Sequence, residues 1–352
     1  MTTHARKRIG VFGAGAVGGH IGTRLSAAGL PVVLLDLAER VAAGPPEHAV
    51  DARGGIHRRG EDLVLTSDVA ALSDVELCLV SVKAAHTEGA AQTLAEVLAP
   101  CVPVVSLQNG LRNPGRLRTH LSHVIAAVVG FNVVTGPRGA TTETVPGKVY
   151  LGEGQTPASN RALEAMASAL RRTGLPTEIR SDIEAVATGK LLLNLNNGIG
   201  GATGLGIVAM LADSDARACF SQCLLEGRRL MAAAGRPIAR VGPLGARAVA
   251  ASMRLPTWLV KATAPVGPTA ITSTLADLRA GRATEIDDLN GEIVDVAQTL
   301  GKSAPYNAVV VEAVRAHERS IAAGAQPQWV RPAQLRARMA SRRASAGKLA
   351  TR

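Results

Sequence analysis

Aromatic side chains are scarce in this sequence of 352 residues, which contains three Phe, two Trp and two Tyr. So few rings offer little material for the base-stacking surfaces of nucleic-acid-binding proteins. Cysteine is also rare, and none of the four cysteines forms a C-x-x-C pair or has a histidine at metal-ligand spacing beside it. We therefore expect packing roles for Cys78, Cys219 and Cys223, no metal site, and a reducing, cytoplasmic location.

Acidic residues are absent from both ends of the chain. The formal charge is +11, but residues 1–8 and 331–352 contain ten basic side chains and no acid. Residues 9–330 hold 29 basic and 28 acidic side chains, so the body of the protein is nearly neutral. Because the excess charge belongs to the ends alone, we expect no nucleic-acid partner.

One segment lacks charge altogether. Residues 191–212 include no ionisable side chain over 22 positions, which is long enough to span a bilayer. The segment nevertheless contains three asparagines and five glycines, and unpaired amides in hydrocarbon cost free energy. We interpret it as a buried helix followed by a glycine-rich turn, and we expect no membrane association.

Apolar runs of strand length alternate with helical patterns in the first half. The predicted strands are residues 9–13, 32–36, 77–82, 102–107, 124–134, 147–152 and 176–180. Helical spacing of apolar residues follows the first of these strands and recurs over residues 88–98 and 158–172. Continuous apolar strands alternating with helices indicate a doubly wound parallel sheet with helices on both faces.

The character of the sequence changes after residue 180. Helical patterns continue at about 215–234, 268–280, 284–300 and 305–323, and we find no strand run among them. We predict a basic N-terminal tail over residues 1–8, an α/β domain over 9–180, and an all-α domain over 181–325. Residues 326–352 form a basic segment of low apolar content, for which we predict a poorly ordered tail. The role of residues 236–268, which are rich in proline, stays open.

A glycine-rich turn connects the first predicted strand to the first predicted helix. Its sequence fits G-x-G-x-x-G and consists of Gly13, Ala14, Gly15, Ala16, Val17 and Gly18. The first glycine permits the tight turn, the second lets a pyrophosphate approach the backbone, and the third lets the helix pack on the strand. The helix N-terminus then offers N–H groups to phosphates. We predict a dinucleotide site, the alternative being an ordinary strand–helix turn without a ligand.

Asp36 stands at the end of the second predicted strand, 18 residues after Gly18. A carboxylate there accepts hydrogen bonds from the 2′-hydroxyl of an adenosine ribose and repels a 2′-phosphate, which favours NAD. Arg40 and Arg53 follow in sequence and are candidates for holding a phosphate, which would favour NADP. Asp36 could also serve only as a helix or loop cap, so the choice between NAD and NADP stays open.

Four further segments carry a family resemblance: Val82–Lys83–Ala84, Gln108–Asn109–Gly110, Lys190 to Asn194, and Thr284 to Gly291. Together with the glycine turn, they resemble ketopantoate reductase (2-dehydropantoate 2-reductase) in order from about residue 9 to 320. The resemblance implies an N-terminal Rossmann domain that binds NADPH, an all-α domain that completes the site, and pantoate, a precursor of coenzyme A, as product. It also suggests a homodimer.

The resemblance implies a catalytic role for Lys190 and places Glu285 near the cofactor and that lysine. Lys190 lies in an apolar helix, where desolvation lowers the pKa of a lysine towards the range of a useful general acid. An ammonium group also stabilises a developing oxyanion. The alternatives are that the Lys190 side chain extends to water and that Glu285 only complements a helix dipole.

By the same resemblance, Asn194 and Ser273 bind substrate, Asn109 contacts both nicotinamide and substrate, and Lys83 neutralises charge near the cofactor or substrate. Asn194 shares a helix face with Lys190. Ordinary helix–helix or loop contacts are the alternative for these polar residues. The neighbours Thr272 and Thr274 leave the register of Ser273 open.

The sequence departs from the family pattern at two motif positions, and it has extra length around residues 236–268 relative to shorter members. The family has a second substrate asparagine eight residues after the catalytic lysine, followed by proline, whereas this chain has Gly198 and Ile199. Asn197 lies one residue earlier and is our candidate replacement. The family commonly has an arginine after the second strand to hold the NADPH phosphate, and this chain has Leu37.

We therefore expect NAD(P)H-dependent reduction of a small-molecule 2-keto acid, with ketopantoate as the first substrate to test. The alternatives are a related reductase of another 2-keto acid and a non-catalytic dinucleotide-binding sensor.

Overall fold

The computed structural model describes residues 8–242, 244–263, 267 and 270–349. The chain divides into two compact units, Met1–Ile183 and Glu184–Arg352. The predicted N-terminal tail lies outside the described residues except for Arg8, which begins the first strand. None of the described helices is sufficiently long and apolar to cross a membrane.

The first unit contains all the strands found among the described residues. They are β1 (Arg8–Phe12), β2 (Val32–Leu35), β3 (His48–Val50), β4 (Ile56–Arg58), β5 (Leu63–Thr66), β6 (Val75–Val80), β7 (Val104–Ser106), β8 (Val124–Val129), β9 (Asn132–Thr135), β10 (Thr141–Val145), β11 (Val149–Gly152) and β12 (Thr177–Arg180). Its helices are α1 (Ala16–Ala27), α2 (Ala38–Ala42), α3 (Thr87–Val97), α4 (Asn113–Arg118) and α5 (Pro157–Arg172), with short 3₁₀ turns at Val69–Leu72, Ala84–His86 and Pro137–Gly139.

The large sheet has the strand order β12-β11-β8-β7-β6-β1-β2-β5. Its neighbours pair in parallel, except that β8 and β11 are antiparallel. Successive residues of a strand point to opposite faces, and both faces of this sheet are covered. Leu77 and Leu79 belong to one buried cluster together with residues of α1 and α5, whereas Cys78 and Val80 belong to a second cluster with residues of α3. This two-sided burial explains the continuous apolar runs and confirms the predicted parallel-sheet α/β fold.

A second, four-stranded sheet with the order β4-β3-β10-β9 was absent from the sequence prediction. Its strands are short and rich in polar residues, as in the sequence TTETV of β10, so no apolar run marks them. The predicted single strand over residues 124–134 is wrong. The chain leaves the large sheet after Val129 and enters the small one at Asn132. At this transition the backbones of Gly130 and Gly147 approach closely, and a Cβ at Gly147 would lie 2.2 Å from the carbonyl oxygen of Gly130. Strand β5, at the edge of the large sheet, was also missed.

The described residues of the second unit contain helices and their connections but no strand, as predicted. Its helices are α6 (Ile183–Thr203, beginning at the last residue of the first unit), α7 (Ile207–Ala212), α8 (Ser214–Ala233), α9 (Ala246–Ser252), α10 (Thr257–Thr263), α11 (Ser273–Arg279), α12 (Asn290–Thr299), α13 (Pro305–Ala322) and α14 (Pro332–Leu349), with a 3₁₀ turn at Ile286–Asp288. The uncharged segment is the buried second half of α6, a turn at Gly204 with φ +71°, and α7. Residues 268–269, at the start of one predicted helix, lie outside the described residues.

The expectation of a poorly ordered C-terminal tail is wrong for residues 332–349, which form α14. This helix packs against α8 and α13, and its apolar Leu335 and Met339 are fully buried. Its arginines lie on the outside, where Arg336 pairs with Asp215 at 2.7 Å and Arg342 with Glu312 at 2.9 Å. The low apolar content misled the prediction, because Leu335 and Met339, one helical turn apart, are buried against α8 and α13 although most of the helix is polar.

Candidate functional site

The glycine-rich turn has the geometry of a phosphate cradle. Gly13 adopts φ +99°, a conformation that L side chains rarely adopt, and a Cβ at Gly18 would lie 2.0 Å from the carbonyl oxygen of Gly13. A Cβ at Gly15 would meet nothing within 4 Å. Gly13 and Gly18 therefore shape the turn, whereas Gly15 leaves the outer side of the turn open. Gly15 is also the N-cap of α1 and offers no capping side chain, so the first N–H groups of the helix are available to an anion.

Asp36 is joined to this turn by hydrogen bonds. The backbone N–H of Ala14 donates to Asp36 Oδ2 at 2.9 Å, and the N–H of Leu37 donates to Asp36 Oδ1 at 2.8 Å. Arg40 Nη2 donates to the carbonyl oxygen of Ala14 at 3.0 Å, and Arg40 Nε lies 3.9 Å from Asp36 Oδ2. The carboxylate is thus fixed beside the turn at the end of β2, where sequence reasoning expected it.

Lys83 and Asn109 follow β6 and β7, which are neighbouring parallel strands. A network of buried side chains ties the two strand ends together. Gln108 Nε2 donates to the carbonyl oxygen of Val82 at 2.9 Å and to Thr87 Oγ1 at 2.7 Å. Thr87 Oγ1 donates to Asn113 Oδ1 at 3.0 Å, and Asn113 Nδ2 donates to the carbonyl oxygen of Asn109 at 2.7 Å.

This network fixes the backbone on both sides of the strand ends, so it orients the exposed Lys83 and the partly buried Asn109. Sequence reasoning missed Thr87 and Asn113, and it used Gln108 only as part of a motif. The carboxyl edge of a parallel sheet is where ligands bind in doubly wound folds, and buried amides directly behind such an edge are a signal for positioning residues.

Helix α6 carries Lys190, Asn194 and Asn197 on one face. At 3.6 residues per turn, the three positions fall within an arc of about 60°. Leucines and glycines cover the remaining faces of the helix, most of which are buried. Desolvation of the Lys190 side chain itself lowers its pKa to about 8. The ammonium group is therefore a much readier proton donor near neutral pH than an ordinary lysine.

The beginning of α11 brings Ser273 to this face of α6. Cβ atoms at Gly200 and Gly201 would lie 2.5 Å from Thr272 Oγ1 and 2.4 Å from Thr274 Cγ2, so the two glycines allow the close approach. Asn197 Nδ2 donates to Ser273 Oγ at 3.1 Å. Thr272 and Thr274 are buried, whereas Ser273 is only partly buried. The structure therefore brings Asn197 and Ser273 together and distinguishes the serine from its two threonine neighbours.

Glu285 begins the 3₁₀ turn before α12 and is buried. The preceding Thr284 is held by Glu318 Oε1, which accepts from its N–H at 2.8 Å and from its hydroxyl at 2.7 Å. At the other end of the turn, Asn290 Nδ2 donates to Asn307 Oδ1 at 2.9 Å and to the carbonyl oxygen of Leu195 in α6 at 3.4 Å. The segment that carries Glu285 is thus attached to α6 between Asn194 and Asn197.

Gly198 is the position at which the resembled family has its second substrate asparagine. A Cβ there would lie 2.3 Å from Asn290 Oδ1 and 2.5 Å from Val310 Cγ1, so the position has no room for a side chain. Asn197 lies closer to the angular position of Lys190 on the helix than residue 198 does.

Comparisons with known proteins identify the family of this chain. The model of the family described as ketopantoate reductase PanE/ApbA matches residues 9–156, and the model of its C-terminal domain matches residues 182–318. The chain belongs to this family. The 2-dehydropantoate 2-reductase of Archaeoglobus fulgidus is 28% identical over 315 residues, which cover 90% of this chain and 99% of the relative.

Solved structures agree as well. A PanE/ApbA family ketopantoate reductase from Ralstonia eutropha is 27% identical, with a TM-score of 0.75 over 90% of this chain and 99% of that chain. A D-mandelate dehydrogenase solved with NADH and anilino(oxo)acetate shares the fold at 20% identity, with a TM-score of 0.72 over 90% of this chain and 99% of that chain.

Family membership makes the chain an NAD(P)-dependent oxidoreductase of the ketopantoate reductase type. The glycine turn fits such a cofactor, because Gly15 leaves room for a pyrophosphate beside the N-terminus of a 12-residue helix. The family models end at residue 318, so α14 and the segment before it lie beyond the matched region.

Proposed function

We propose that the chain reduces a 2-keto acid to the 2-hydroxy acid, with 2-dehydropantoate as substrate and pantoate as product. The observation that carries the proposal is the polar face of α6, where Lys190, with a pKa lowered to about 8, shares a stripe with Asn194 and Asn197. A keto acid that becomes a hydroxy acid needs a proton at the forming alkoxide and polar partners for its carboxylate. The stripe supplies both chemistries.

In this proposed reaction each polar residue of the site has its own role. Lys190 Nζ donates the proton and stabilises the negative charge that develops on the keto oxygen. Asn197 and Ser273 bind the substrate as a hydrogen-bonded pair, and Asn194 and Asn109 orient it. Glu285 positions Lys190 or the cofactor. A bound reduced nicotinamide supplies the hydride for the keto carbon. The glycine turn, Asp36 and Lys83 hold the dinucleotide. The homodimer, the cytoplasmic location and a role in coenzyme A biosynthesis stay predictions.

Turnover measurements test this proposal directly. The purified chain is mixed with 2-dehydropantoate and NADH or NADPH, and the loss of nicotinamide absorbance is followed. Lys190→Ala is expected to lower kcat about 10²- to 10⁴-fold, the usual contribution of a general acid. The matched control is Lys302→Ala, which removes an exposed lysine of the same unit and is expected to leave kcat unchanged. Dinucleotide binding without turnover of any 2-keto acid would instead support a sensor.

Substitutions of two adjacent asparagines, Asn197 and Asn196, test whether the pair formed by Asn197 and Ser273 binds the substrate. Asn197→Ala is expected to raise KM about tenfold, because a lost hydrogen bond to a charged group is worth about 1.5–3 kcal/mol. Asn196→Ala changes the same residue type one position away, on another part of the helix surface, and should leave KM within twofold. Equal effects of the two substitutions would remove Asn197 from the proposed site.

A related reductase of another 2-keto acid is the second candidate. Gly198 favours it, since this chain has lost the second substrate asparagine of the family pattern and the position is closed to any side chain. The kcat/KM values for a panel of 2-keto acids with small, branched and aromatic substituents separate the two candidates.

A further inference from the structure

We propose that Asp36 selects a dinucleotide whose adenosine ribose carries a free 2′-hydroxyl, so that this chain uses NADH in preference to NADPH. The inference rests on the proposed function, which requires a nicotinamide dinucleotide but leaves its ribose unspecified. It concerns the group that recognises the adenosine end, which is remote from the reacting carbon.

The Asp36 carboxylate is oriented by the backbone. Each of its oxygens accepts one N–H bond, from Ala14 at 2.9 Å and from Leu37 at 2.8 Å. A carboxylate oxygen has two lone pairs, so each oxygen can accept one more hydrogen bond. The side chain is 19% exposed, which leaves the carboxylate accessible while its direction is fixed. Two adjacent ribose hydroxyls match such a pair of acceptors.

The same carboxylate opposes a 2′-phosphate. A dinucleotide whose pyrophosphate lies on the glycine turn places its adenosine ribose at the end of β2. A phosphate on the 2′-oxygen would then bring about two negative charges to a group that can only accept hydrogen bonds. Leu37, at the next position, is 72% exposed and offers no cation to compensate.

Two arginines are the candidates for rescuing a 2′-phosphate, and the structure argues against both. Arg40 Nη2 donates to the carbonyl oxygen of Ala14, and Arg40 Nε lies 3.9 Å from Asp36 Oδ2, so the carboxylate already offsets part of the charge of this arginine. Arg53 belongs to a turn held by Asp51, whose carboxylate contacts His57, and His57 contacts Arg24 at 3.3 Å. Arg24 lies nine residues after Gly15 in α1, so the turn that carries Arg53 is attached near the end of that helix rather than at the glycine turn.

Binding titrations test the inference without relying on turnover. The dissociation constants of NADH and NADPH are measured by nicotinamide fluorescence, and those of ADP-ribose and 2′-phospho-ADP-ribose by calorimetry. We expect the unphosphorylated member of each pair to bind at least about tenfold more tightly, corresponding to one well-placed charged interaction. The fragments isolate the adenosine end from the nicotinamide.

Three variants test whether the Asp36 carboxylate causes the preference for NADH over NADPH. Asp36→Asn keeps the shape but removes the charge, and should reduce the NADH preference about tenfold. Glu39→Gln removes an exposed carboxylate three residues away and should leave the preference unchanged. The double variant Asp36→Ser with Leu37→Arg should reverse the preference, because an arginine then faces the phosphate.

Two outcomes would overturn the inference. One is tighter binding of NADPH by the unmodified chain, which needs no variant to fold. The other is a selective loss of NADPH affinity in Arg40→Ala, which would identify Arg40 as a phosphate ligand. If neither dinucleotide binds, the proposed function itself fails, and this result is distinct from a reversed preference.

Discussion

Helices α1 and α6 both present functional groups, but they use different parts of the chain. Helix α1 offers backbone N–H groups at its first turn, after a run of glycines. Helix α6 offers the side chains of Lys190, Asn194 and Asn197 along its middle. The side chains of α1 are consequently available for packing, whereas the proposed function requires one face of α6 to stay open to a ligand.

The last turns of α1 are anchored by buried charges. Arg24 Nη1 donates to Glu143 Oε1 at 2.5 Å, and His20 lies between Glu143 at 3.0 Å and Thr141 at 2.9 Å. These contacts attach α1 to β10 of the small sheet. Burial is the main cause that lowers the pKa of both His20 and Arg24, and the carboxylate of Glu143 works against it in each case.

Helix α6 is held by amide side chains of other helices, which contact a backbone carbonyl group of α6. Asn290 holds the carbonyl oxygen of Leu195, and Asn307 connects Asn290 to Glu226 at 2.8 Å. Glu226 accepts the N–H groups of Tyr306 and Asn307 and thereby caps α13. Burial raises the pKa of Glu226. Helix α6 is thus held at the main-chain carbonyl of Leu195, which leaves its proposed functional side chains uninvolved, whereas α1 is held by the side chains of His20 and Arg24.

The largest expected effect concerns the pH dependence of catalysis on α6. Proton donation requires the charged form of Lys190, and burial lowers its pKa to about 8. The value of kcat should therefore be constant below pH 8 and fall tenfold per pH unit above it. Lys190→Ala should abolish this limb together with about 10²- to 10⁴-fold of the rate. A limb that persists in Lys190→Ala would show that another group titrates.

The next largest effect concerns stability, because the buried ion pair of Arg24 with Glu143 attaches α1 to the small sheet. Arg24→Leu leaves Glu143 buried beside a histidine alone, and breaking a buried ion pair costs about 3–5 kcal/mol. Urea unfolding followed by circular dichroism measures this loss. Arg171→Leu is the control, because its exposed pair with Glu164 contributes less than about 1 kcal/mol. Both tryptophans, Trp258 and Trp329, lie in the second unit, so tryptophan fluorescence shows whether that unit unfolds separately.

The C-terminal helix α14 lies beyond the residues matched by the family models, and its contribution to stability can be measured separately. Met339 is fully buried against the second unit, so Met339→Ala should lower the free energy of unfolding by about 2–4 kcal/mol. Arg338→Ala, on the exposed side of the same helix, should change it by less than about 0.5 kcal/mol. If the two variants were equally stable, α14 would not be docked in solution.

Breaking the amide anchor of α6 should have the smallest effect on stability and a more selective effect on function. Asn307→Leu leaves Asn290 Nδ2 and Glu226 short of a partner, which costs about 1–3 kcal/mol. Because the anchor reaches α6 beside Asn194 and Asn197, kcat/KM should fall while the dinucleotide dissociation constant stays the same. A shift in dinucleotide affinity would contradict the assignment of the two helices to separate tasks.

Much of the first unit could be predicted from local pattern. The strands at residues 9–13, 32–36, 77–82 and 102–107 were predicted within two residues at most of their ends, because two-sided burial requires uninterrupted apolar runs. The small sheet could not be predicted, because its polar strands are defined by their partners. Parallel pairing of β3 with β10 connects residues more than 90 positions apart in sequence.

The candidate site likewise combines features that follow from local sequence with features that depend on contacts between distant segments. Local sequence was enough to predict the glycine turn, the acid after β2, and the spacing that aligns Lys190, Asn194 and Asn197, because strand and helix periods fix which neighbouring residues share a face. The contact between Ser273 and Asn197, the closure of Gly198 by Asn290, the position of Arg40 against the glycine turn and the docking of residues 332–349 as a helix became visible in the folded chain alone. These outcomes depend on contacts between segments far apart in the chain, which no local period encodes.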